Sequence, residues 1–173
     1  NWTLFGLSGI ACFTPRLAAC AQVMGDMTFP DAAQFFPLRY DDPEWKCPAL
    51  IVSWARNLQG SQCADHYFSG HFTVDMMKRG AKLIVVDPYN GWEASRADLW
   101  LRVRPGADGA LALGMIKVMI EEDLYDKEFV EKWTFGFDKL KAEVARFTLD
   151  ELSQITWVPT DKIIKAARMY AAA

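Results

Sequence analysis

Three short polar loops follow apolar segments of the chain, and their side chains are suited to binding a nucleotide. The loops are Trp54-Ala55-Arg56-Asn57, Asp87-Pro88-Tyr89-Asn90-Gly91 and Arg104-Pro105-Gly106-Ala107-Asp108-Gly109. Asp87 ends an apolar run, where a carboxylate can accept hydrogen bonds from ribose hydroxyls. Backbone amides in the third loop, which leads into a helix, can bind a diphosphate. The two carboxylate oxygens of Asp108 match the adjacent N–H donors of a guanine edge.

Both carboxylates also have a plain structural explanation. Asp108 precedes an apolar helical segment and suits the N-cap position of that helix. Asp87-Pro88 is equally typical of a turn that ends a strand. The glycine fingerprint G-x-G-x-x-G is missing after the first apolar run. Its absence argues against a standard nicotinamide or flavin site.

Two buried strands and a helix between them are expected to bring these loops together. Residues 49–54 and 82–87 are short apolar runs, typical of strands that are buried on both faces. A helix is predicted over about 63–78, which completes a β-α-β unit with a right-handed crossover. Residues 99–103 alternate as a third strand. In a parallel sheet the loops after the strands meet at the carboxyl edge, where ligands bind.

The rest of the chain is predicted to be mainly helical. Helices are expected over about 14–25, 109–122, 126–133, 137–145, 149–155 and 160–172. Residues 26–48 are rich in Pro, Asp and aromatic residues and indicate an extended loop. The predicted fold class is α/β, a three-layer Rossmann-like parallel sheet with flanking helices and a helical C-terminal part. We predict two parts, residues 1–48 (the N-terminal helix and aromatic loop) and residues 49–173 (the nucleotide-binding domain).

Composition gives no reason to expect several kinds of partner. The formal charge of −3 gives no electrostatic reason to expect nucleic acid. No apolar run approaches the ~20 residues that span a bilayer, so no membrane insertion is expected. The four cysteines include no Cys-x-x-Cys pair, which argues against zinc or an iron–sulfur cluster within this segment. Because the chain begins without Met and ends in a helical run, we expect a fragment of a longer protein.

Several runs, in the same order and at matching intervals, carry a resemblance to a known family. They are Gly80-Ala81-Lys82-Leu83-Ile84-Val85-Val86-Asp87-Pro88, Ala97-Asp98-Leu99-Trp100-Leu101, Arg104-Pro105-Gly106-Ala107-Asp108-Gly109-Ala110-Leu111-Ala112-Leu113-Gly114-Met115 and Leu124-Tyr125-Asp126-Lys127-Glu128-Phe129-Val130. From about Leu50 onwards the chain resembles the molybdopterin oxidoreductases of the dimethyl-sulfoxide-reductase type. The resemblance implies one guanosine-binding domain for molybdopterin guanine dinucleotide, a cofactor that carries Mo or W.

The resemblance also implies a role for individual residues. Asn57 and its loop, beginning at Trp54, would lie against the diphosphate and ribose. Asp87, followed by Pro88, would contact the guanosine. Asp108, at the end of the loop that contains Gly106, would pair with the guanine. These six residues are the predicted cofactor-binding residues.

The chain departs from the family pattern in two of the loops. The family usually has Trp-Gly-x-Asn-Pro after the first strand, whereas Ala55 and Leu58 stand at the Gly and Pro positions here. After Asp-Pro the family commonly has Arg and, two residues on, Thr, but this chain has Tyr89 and Gly91. Tyr89 or Trp92 could stack on a ring of the ligand, or be an ordinary surface aromatic residue.

Cys12 precedes the predicted helix over 14–25, as the metal-binding residue does in Cys-ligated family members. It is therefore the candidate catalytic residue and metal ligand, because a thiolate suits soft Mo or W. The alternative is a buried structural cysteine. A 4Fe-4S cluster is expected only in the missing N-terminal part of the full protein.

The function implied is that of the central fragment of a Mo/W bis-pterin oxidoreductase, inactive by itself. The expected partners are the remaining domains of the same enzyme and an electron-transfer subunit. The full protein would be cytoplasmic, or exported folded if it carries a twin-arginine signal. One alternative is a non-catalytic scaffold of the same fold, as in the large peripheral subunit of respiratory complex I. Another is a different nucleotide-binding domain, such as one for NAD.

Overall fold

Three parallel strands form the sheet in the part of the chain that the computed structural model describes, residues 46–57 and 69–173 together with Gln22. The strands are β1 (Leu50–Trp54), β2 (Lys82–Val86) and β3 (Leu99–Leu101), in the order β1-β2-β3. Helix α1 (Ser69–Lys78) lies between β1 and β2 in the chain. The predicted helix over 14–25 and residues 26–45 of the predicted loop lie outside the described residues, Gln22 excepted.

The central strand alternates its side chains between two apolar layers, as the period of two requires. Ile84 and Val86 join a core beneath α2 (Asp108–Glu121) and α6 (Thr160–Ala171). Leu83 and Val85 pack on the other face with Ala94, from the 3-10 turn Ala94–Arg96, and with Met77 of α1. All four strand side chains are almost fully buried. The predicted α/β class, with a parallel sheet and flanking helices, is confirmed.

The third strand is shorter than the alternating pattern suggested. Its ladder with β2 ends at Leu101, which pairs with Val86. The backbone amide of Val103 donates to the carbonyl of Leu101 at 2.9 Å, which turns the chain away from the sheet. Val103 nevertheless stays buried in the core below α2. The apolar pattern of residues 99–103 therefore predicted which side chains are buried but overestimated the length of the strand.

Two of the C-terminal helices begin at capping side chains that the sequence makes recognisable. The side chain of Asp126 accepts from the amide of Phe129, ahead of α3 (Lys127–Trp133). Thr148 and Glu151 form a reciprocal capping box at the start of α5 (Leu149–Thr156). Helix α4 (Phe137–Ala145) lies between these two helices. No helix among residues 46–57 and 69–173 is long and apolar enough to cross a membrane.

The amino end of the sheet is fastened by one carboxylate. Asp98 accepts from the backbone amide of Leu83 at 2.9 Å and from Nζ of Lys82 at 3.0 Å. The hydrogen bond from the Leu83 amide is the main reason that the pKa of Asp98 lies below its ordinary value. Burial opposes this shift, and the Lys82 ammonium supports it. Asp98 thus joins the start of β2 to the residue that precedes β3.

Candidate functional site

A cavity of about 530 Å³ lies where the loops after β1 and β2 meet. The loop after β1 contributes Arg56 and Asn57, and the loop after β2 contributes Asp87 and Tyr89. Val85 forms part of its wall, so the cavity lies on the sheet face that α1 and the 3-10 turn also cover. The carboxyl edge of a parallel sheet is the usual position of a ligand crevice in open α/β folds.

The first loop turns sharply at Ala55, which has a φ of +48°. This is the left-handed region, where a side chain other than glycine costs roughly 1–2 kcal/mol. The amide of Ala55 donates to the carbonyl of Val86 at 2.8 Å, so the turn starts directly from the ladder between β1 and β2. Glycine at this position in the family pattern therefore has a physical explanation. Ala55 places Arg56 and Asn57 over the strand ends at the cost of strain.

The second loop is held by the side chain and the backbone of Asp87. One carboxylate oxygen, Oδ1, accepts from the amide of Tyr89 at 2.7 Å and forms an Asx turn. The carbonyl of Asp87 accepts from the indole N–H of Trp100 at 2.8 Å. The strand-ending turn is therefore present, and it leaves Oδ2 without a hydrogen-bond partner in the described part of the chain. Pro88, next in sequence, is exposed.

The exposed ring of Tyr89 is accommodated by a glycine. A Cβ atom at Gly91 would lie 3.3 Å from Cδ1 of Tyr89 and 3.7 Å from Oε2 of Glu93. The Gly91 position therefore leaves room for the ring to lie against the backbone of its own loop. The aromatic ring and the glycine, which both depart from the family pattern, fit together sterically.

The third loop ends in a helix that begins differently from the prediction. Helix α2 starts at Asp108 itself, its N-cap residue is Ala107, and no side-chain hydrogen bond caps it. The predicted N-cap role of Asp108 is therefore wrong. Its Oδ1 instead accepts from the indole N–H of Trp54 at 2.8 Å. Gly106, with a φ of +83°, supplies the left-handed residue that the preceding turn needs.

The two candidate carboxylates lie at the same edge of the sheet but on opposite faces. Asp87 lines the cavity on the face of Val85, whereas Asp108 begins α2, which packs on the face of Val86. Trp54, at the end of β1, packs against the core on the α2 side and holds Asp108 there. The structure therefore brings Asn57 and Asp87 to the same cavity, and it joins Trp54 to Asp108 by a hydrogen bond. A single ligand could reach both pairs only by lying across the strand ends.

Two charged residues of the cavity were not among the predicted site residues. Arg56 lines it with a buried Nε that has no hydrogen-bond partner among the described residues. Glu93 is only 6% exposed and also lines it. Nearby, the guanidinium of Arg96 lies 4.4 Å from the centre of the Trp92 ring. A buried charge of this kind depends on how distant segments pack, so local sequence patterns carry no signal for it.

The predicted metal ligand, Cys12, lies outside the described residues. Within residues 46–57 and 69–173, no group of three or more His, Cys, Asp or Glu side chains could hold a metal ion. Cys47 is half-buried, and its Sγ lies 3.6 Å from Sδ of Met76. Its contacts are those of a packed structural cysteine.

The chain is similar in sequence to a known protein family and to several of its individual members. Residues 28–171 match the family described as molybdopterin oxidoreductase. The chain is 53% identical over 114 residues to the acetylene hydratase of Syntrophotalea acetylenica, an alignment that covers 65% of this chain and 16% of that protein. It is 38% identical over 123 residues to the molybdopterin-containing subunit PhsA of the Salmonella typhimurium thiosulfate reductase, covering 70% of this chain and 16% of the relative.

A solved structure agrees with these sequence matches. The acetylene hydratase from Pelobacter acetylenicus superposes with a TM-score of 0.61 at 42% identity, covering 70% of this chain and 16% of that one. The chain thus spans about one sixth of the length of the relatives that it matches. The family match extends over most of the chain. The protein belongs to the molybdopterin oxidoreductase family.

Proposed function

We propose that this segment binds the guanosine diphosphate end of a molybdopterin guanine dinucleotide, carrying Mo or W, within a full-length oxidoreductase. The observation that carries the proposal is the cavity at the carboxyl edge, which Arg56, Asn57 and Asp87 line. A guanidinium whose buried Nε has no hydrogen-bond partner among the described residues lines this cavity together with a carboxylate and an amide. Such a set of groups suits a ligand with both phosphate and hydroxyl groups. The donor set therefore fits the nucleotide end of the cofactor.

Each predicted binding residue has a distinct part in this proposal. Asn57 and the loop that starts at Trp54 contact the diphosphate and ribose. Asp87 uses Oδ2 for a ribose hydroxyl, because Oδ1 is occupied by the amide of Tyr89. Pro88 and Gly106 shape the loops on either side. A dinucleotide is long enough to pass from the cavity across the strand ends to Asp108.

Trp54 and Asp108 form the guanine-reading pair in this proposal. The indole N–H engages Oδ1 of Asp108 and so fixes the orientation of the carboxylate. Oδ2 is then directed to one N–H donor of the guanine edge, while Oδ1 can accept a second hydrogen bond. Adenine has an acceptor at N1 where guanine has an N–H donor, so the same carboxylate disfavours adenine nucleotides.

Cys12 is proposed as the thiolate ligand of the metal. A 4Fe-4S cluster is proposed to lie in the region that precedes this segment in the full protein. The pterin-bound metal supplies the redox chemistry when it is present. The residues of this chain bind and orient the cofactor. A full-length Cys12→Ser variant should keep guanine-nucleotide affinity and lose metal, whereas a structural cysteine would affect folding without selective loss of metal.

A nucleotide titration tests the proposal directly. The full-length protein, produced without its cofactor, should bind GDP at least tenfold more tightly than ADP or NAD in a calorimetric titration. Asp108→Asn should remove most of that preference, because an amide cannot accept two hydrogen bonds from guanine as a carboxylate does. Equal affinity for GDP and ADP in the parent protein would contradict the proposal. So would the absence of both Mo and W from the reconstituted full-length protein, as the scaffold alternative requires.

The identity to acetylene hydratase favours a second candidate for the activity of the whole protein. At 53% identity over 114 residues, the segment is much more similar to that hydratase than to the thiosulfate reductase subunit at 38%. Addition of water to an alkyne needs no external electron acceptor. Consumption of acetylene by the full-length protein without an electron acceptor would support this candidate, and strict dependence on an acceptor would support an oxidoreductase.

Three exposed aromatic side chains of this segment form a surface that further domains of the same protein are proposed to cover. An electron-transfer subunit is a second proposed partner of the full-length protein. Phe129, Trp133 and Phe135 expose 56%, 76% and 98% of their surface. The relatives are about six times longer than the aligned segment, which leaves ample chain to cover these rings. Oxidative footprinting should show Trp133 and Phe135 protected in the full-length protein and reactive in the 173-residue chain. Equal reactivity in both would contradict this assignment.

A further inference from the structure

The Arg56 side chain combines two features that are rarely found together. It lines the cavity at the carboxyl edge, and its Nε is buried with no hydrogen-bond partner in the described part of the chain. The backbone of the same residue is anchored, because its carbonyl accepts from the hydroxyl of buried Ser53 at 3.3 Å. The position of Arg56 is therefore set by its backbone.

Such an arrangement is unfavourable unless another group completes it. A guanidinium stays protonated in proteins, so burial cannot be relieved by loss of a proton. A buried donor without an acceptor loses its hydration and gains nothing in return. Asp87 and Glu93 are the two carboxylates that line the cavity, and Asp87 directs its Oδ1 to the amide of Tyr89. Native structures seldom leave such a donor unmatched unless water, an ion or a ligand supplies the acceptor.

We propose that Arg56 binds the diphosphate of the nucleotide and makes the site selective for phosphorylated guanosine. This inference rests on the proposed function, since it assigns one chemical group of that ligand to one residue. The planar guanidinium can donate two parallel N–H bonds to diphosphate oxygens, a geometry that an ammonium group cannot reproduce. The carboxylates in the same cavity would repel a diphosphate, so a cation must offset them locally.

The contribution of Arg56 differs from those of the other proposed binding residues. Asp87 and Asp108 are acceptors and can recognise only the donor groups of the ribose and the base. Asn57 can donate to phosphate but carries no charge. Arg56 is therefore the only positively charged residue among those that line the described cavity. Its removal should affect the phosphate-bearing ligands alone.

Three ligands distinguish the contribution of the phosphate groups to binding from that of the base. Calorimetric titrations of the cofactor-free full-length protein would use GDP, guanosine and inorganic pyrophosphate. Arg56→Gln should weaken binding of GDP roughly 10- to 100-fold, as expected for one or two charge-assisted hydrogen bonds, and should abolish binding of pyrophosphate. Guanosine affinity should change less than about twofold. Arg56→Lys should recover only part of the loss in GDP affinity.

A control variant and a stability measurement complete the test. Arg146→Gln removes the same charge from an exposed arginine that pairs with Glu143 at the end of α4. It should leave GDP affinity unchanged. In the absence of ligand, Arg56→Gln should leave the thermal midpoint unchanged or raise it, because the variant removes a buried N–H donor that has no acceptor in the described part of the chain. A purely structural arginine would lower the midpoint on removal.

The outcomes distinguish this inference from the proposed function. If GDP binds selectively, Asp108→Asn removes the guanine preference, and Arg56→Gln leaves GDP affinity intact, then the assignment of Arg56 is wrong and the proposed function stands. Equal weakening of GDP and guanosine would also overturn the assignment. If the parent protein shows no preference for guanine nucleotides, both proposals fail.

Discussion

Trp54 and Asp108 are 54 positions apart, and a single hydrogen bond joins their side chains. Replacing Trp54 with Phe retains an aromatic ring for the core but removes the indole N–H. Replacing Asp108 with Ala removes the acceptor. The two variants and their combination form a double-mutant cycle. In this cycle the loss of ring volume and the loss of charge at the helix start cancel, so that only the pairwise interaction remains.

The structure sets the expected size of that interaction. The N–H···O distance is 2.8 Å, and both residues are half-buried. A hydrogen bond to a charged acceptor contributes about 1.5–3 kcal/mol, and partial exposure favours the lower end of this range. We therefore expect a coupling free energy of about 1.5 kcal/mol. The favourable position of a carboxylate in the first turn of α2 adds a separate contribution of about 0.3–1 kcal/mol, which the cycle removes.

Urea unfolding of the 173-residue chain, followed by circular dichroism, would measure the coupling. Trp100→Phe is the matched control, because the indole of Trp100 donates to the backbone carbonyl of Asp87 at 2.8 Å and not to a carboxylate. Combined with Asp108→Ala, it should give a coupling near zero. A coupling below about 0.5 kcal/mol for Trp54 would refute the interaction, since this is the usual deviation from additivity for independent sites.

Three further predictions concern the stability of the sheet and its helices. Ala55→Gly should raise the free energy of unfolding in urea by up to about 1 kcal/mol. The glycine relieves the left-handed strain of roughly 1–2 kcal/mol but increases the entropy of the unfolded state. A variant that is less stable than the parent would show that the backbone at Ala55 is not strained. The pKa of Asp98 is lowered mainly by the amide of Leu83, so its stabilisation is present above the unfolded pKa and is lost as the pH falls through the folded value. Asp98→Asn should therefore flatten the acid limb of stability against pH, at a cost of no more than about 1 kcal/mol for this partly exposed group; an unchanged acid limb would count against that role. Thr148→Ala should lower stability by about 1 kcal/mol through loss of the cap of α5, whereas Thr148→Ser should have little effect in the same urea assay.

Much of the fold could be predicted from local patterns. The strands β1 and β2 were recognisable because short apolar runs on a doubly covered sheet need not alternate with polar residues. Helix α4 was predicted with its observed bounds, Phe137–Ala145. Helices α3, α5 and α6 were predicted to within one residue at each end. In all these cases the information lies within a few positions of the element that it determines.

The errors and omissions have a common physical origin in contacts between distant residues. Asp108 has the residue type of an N-cap, but its side chain bonds to Trp54 and the cap falls at Ala107. The buried Nε of Arg56 depends on the packing of two loops. The 3-10 turn Ala94–Arg96 is too short for a periodic pattern to identify it. These features are set by tertiary structure, which a local pattern does not encode.

Asp98 fastens the strands at one end, and the cavity occupies the other. The contacts that keep the strands in register and those that would recognise a ligand are therefore separated by the length of the sheet. A substitution in the cavity loops can change which ligand binds without weakening the hydrogen bonds of Asp98 at the other end of the sheet. Residues of the cavity loops can therefore be varied to alter the proposed nucleotide preference, while Asp98 is kept unchanged.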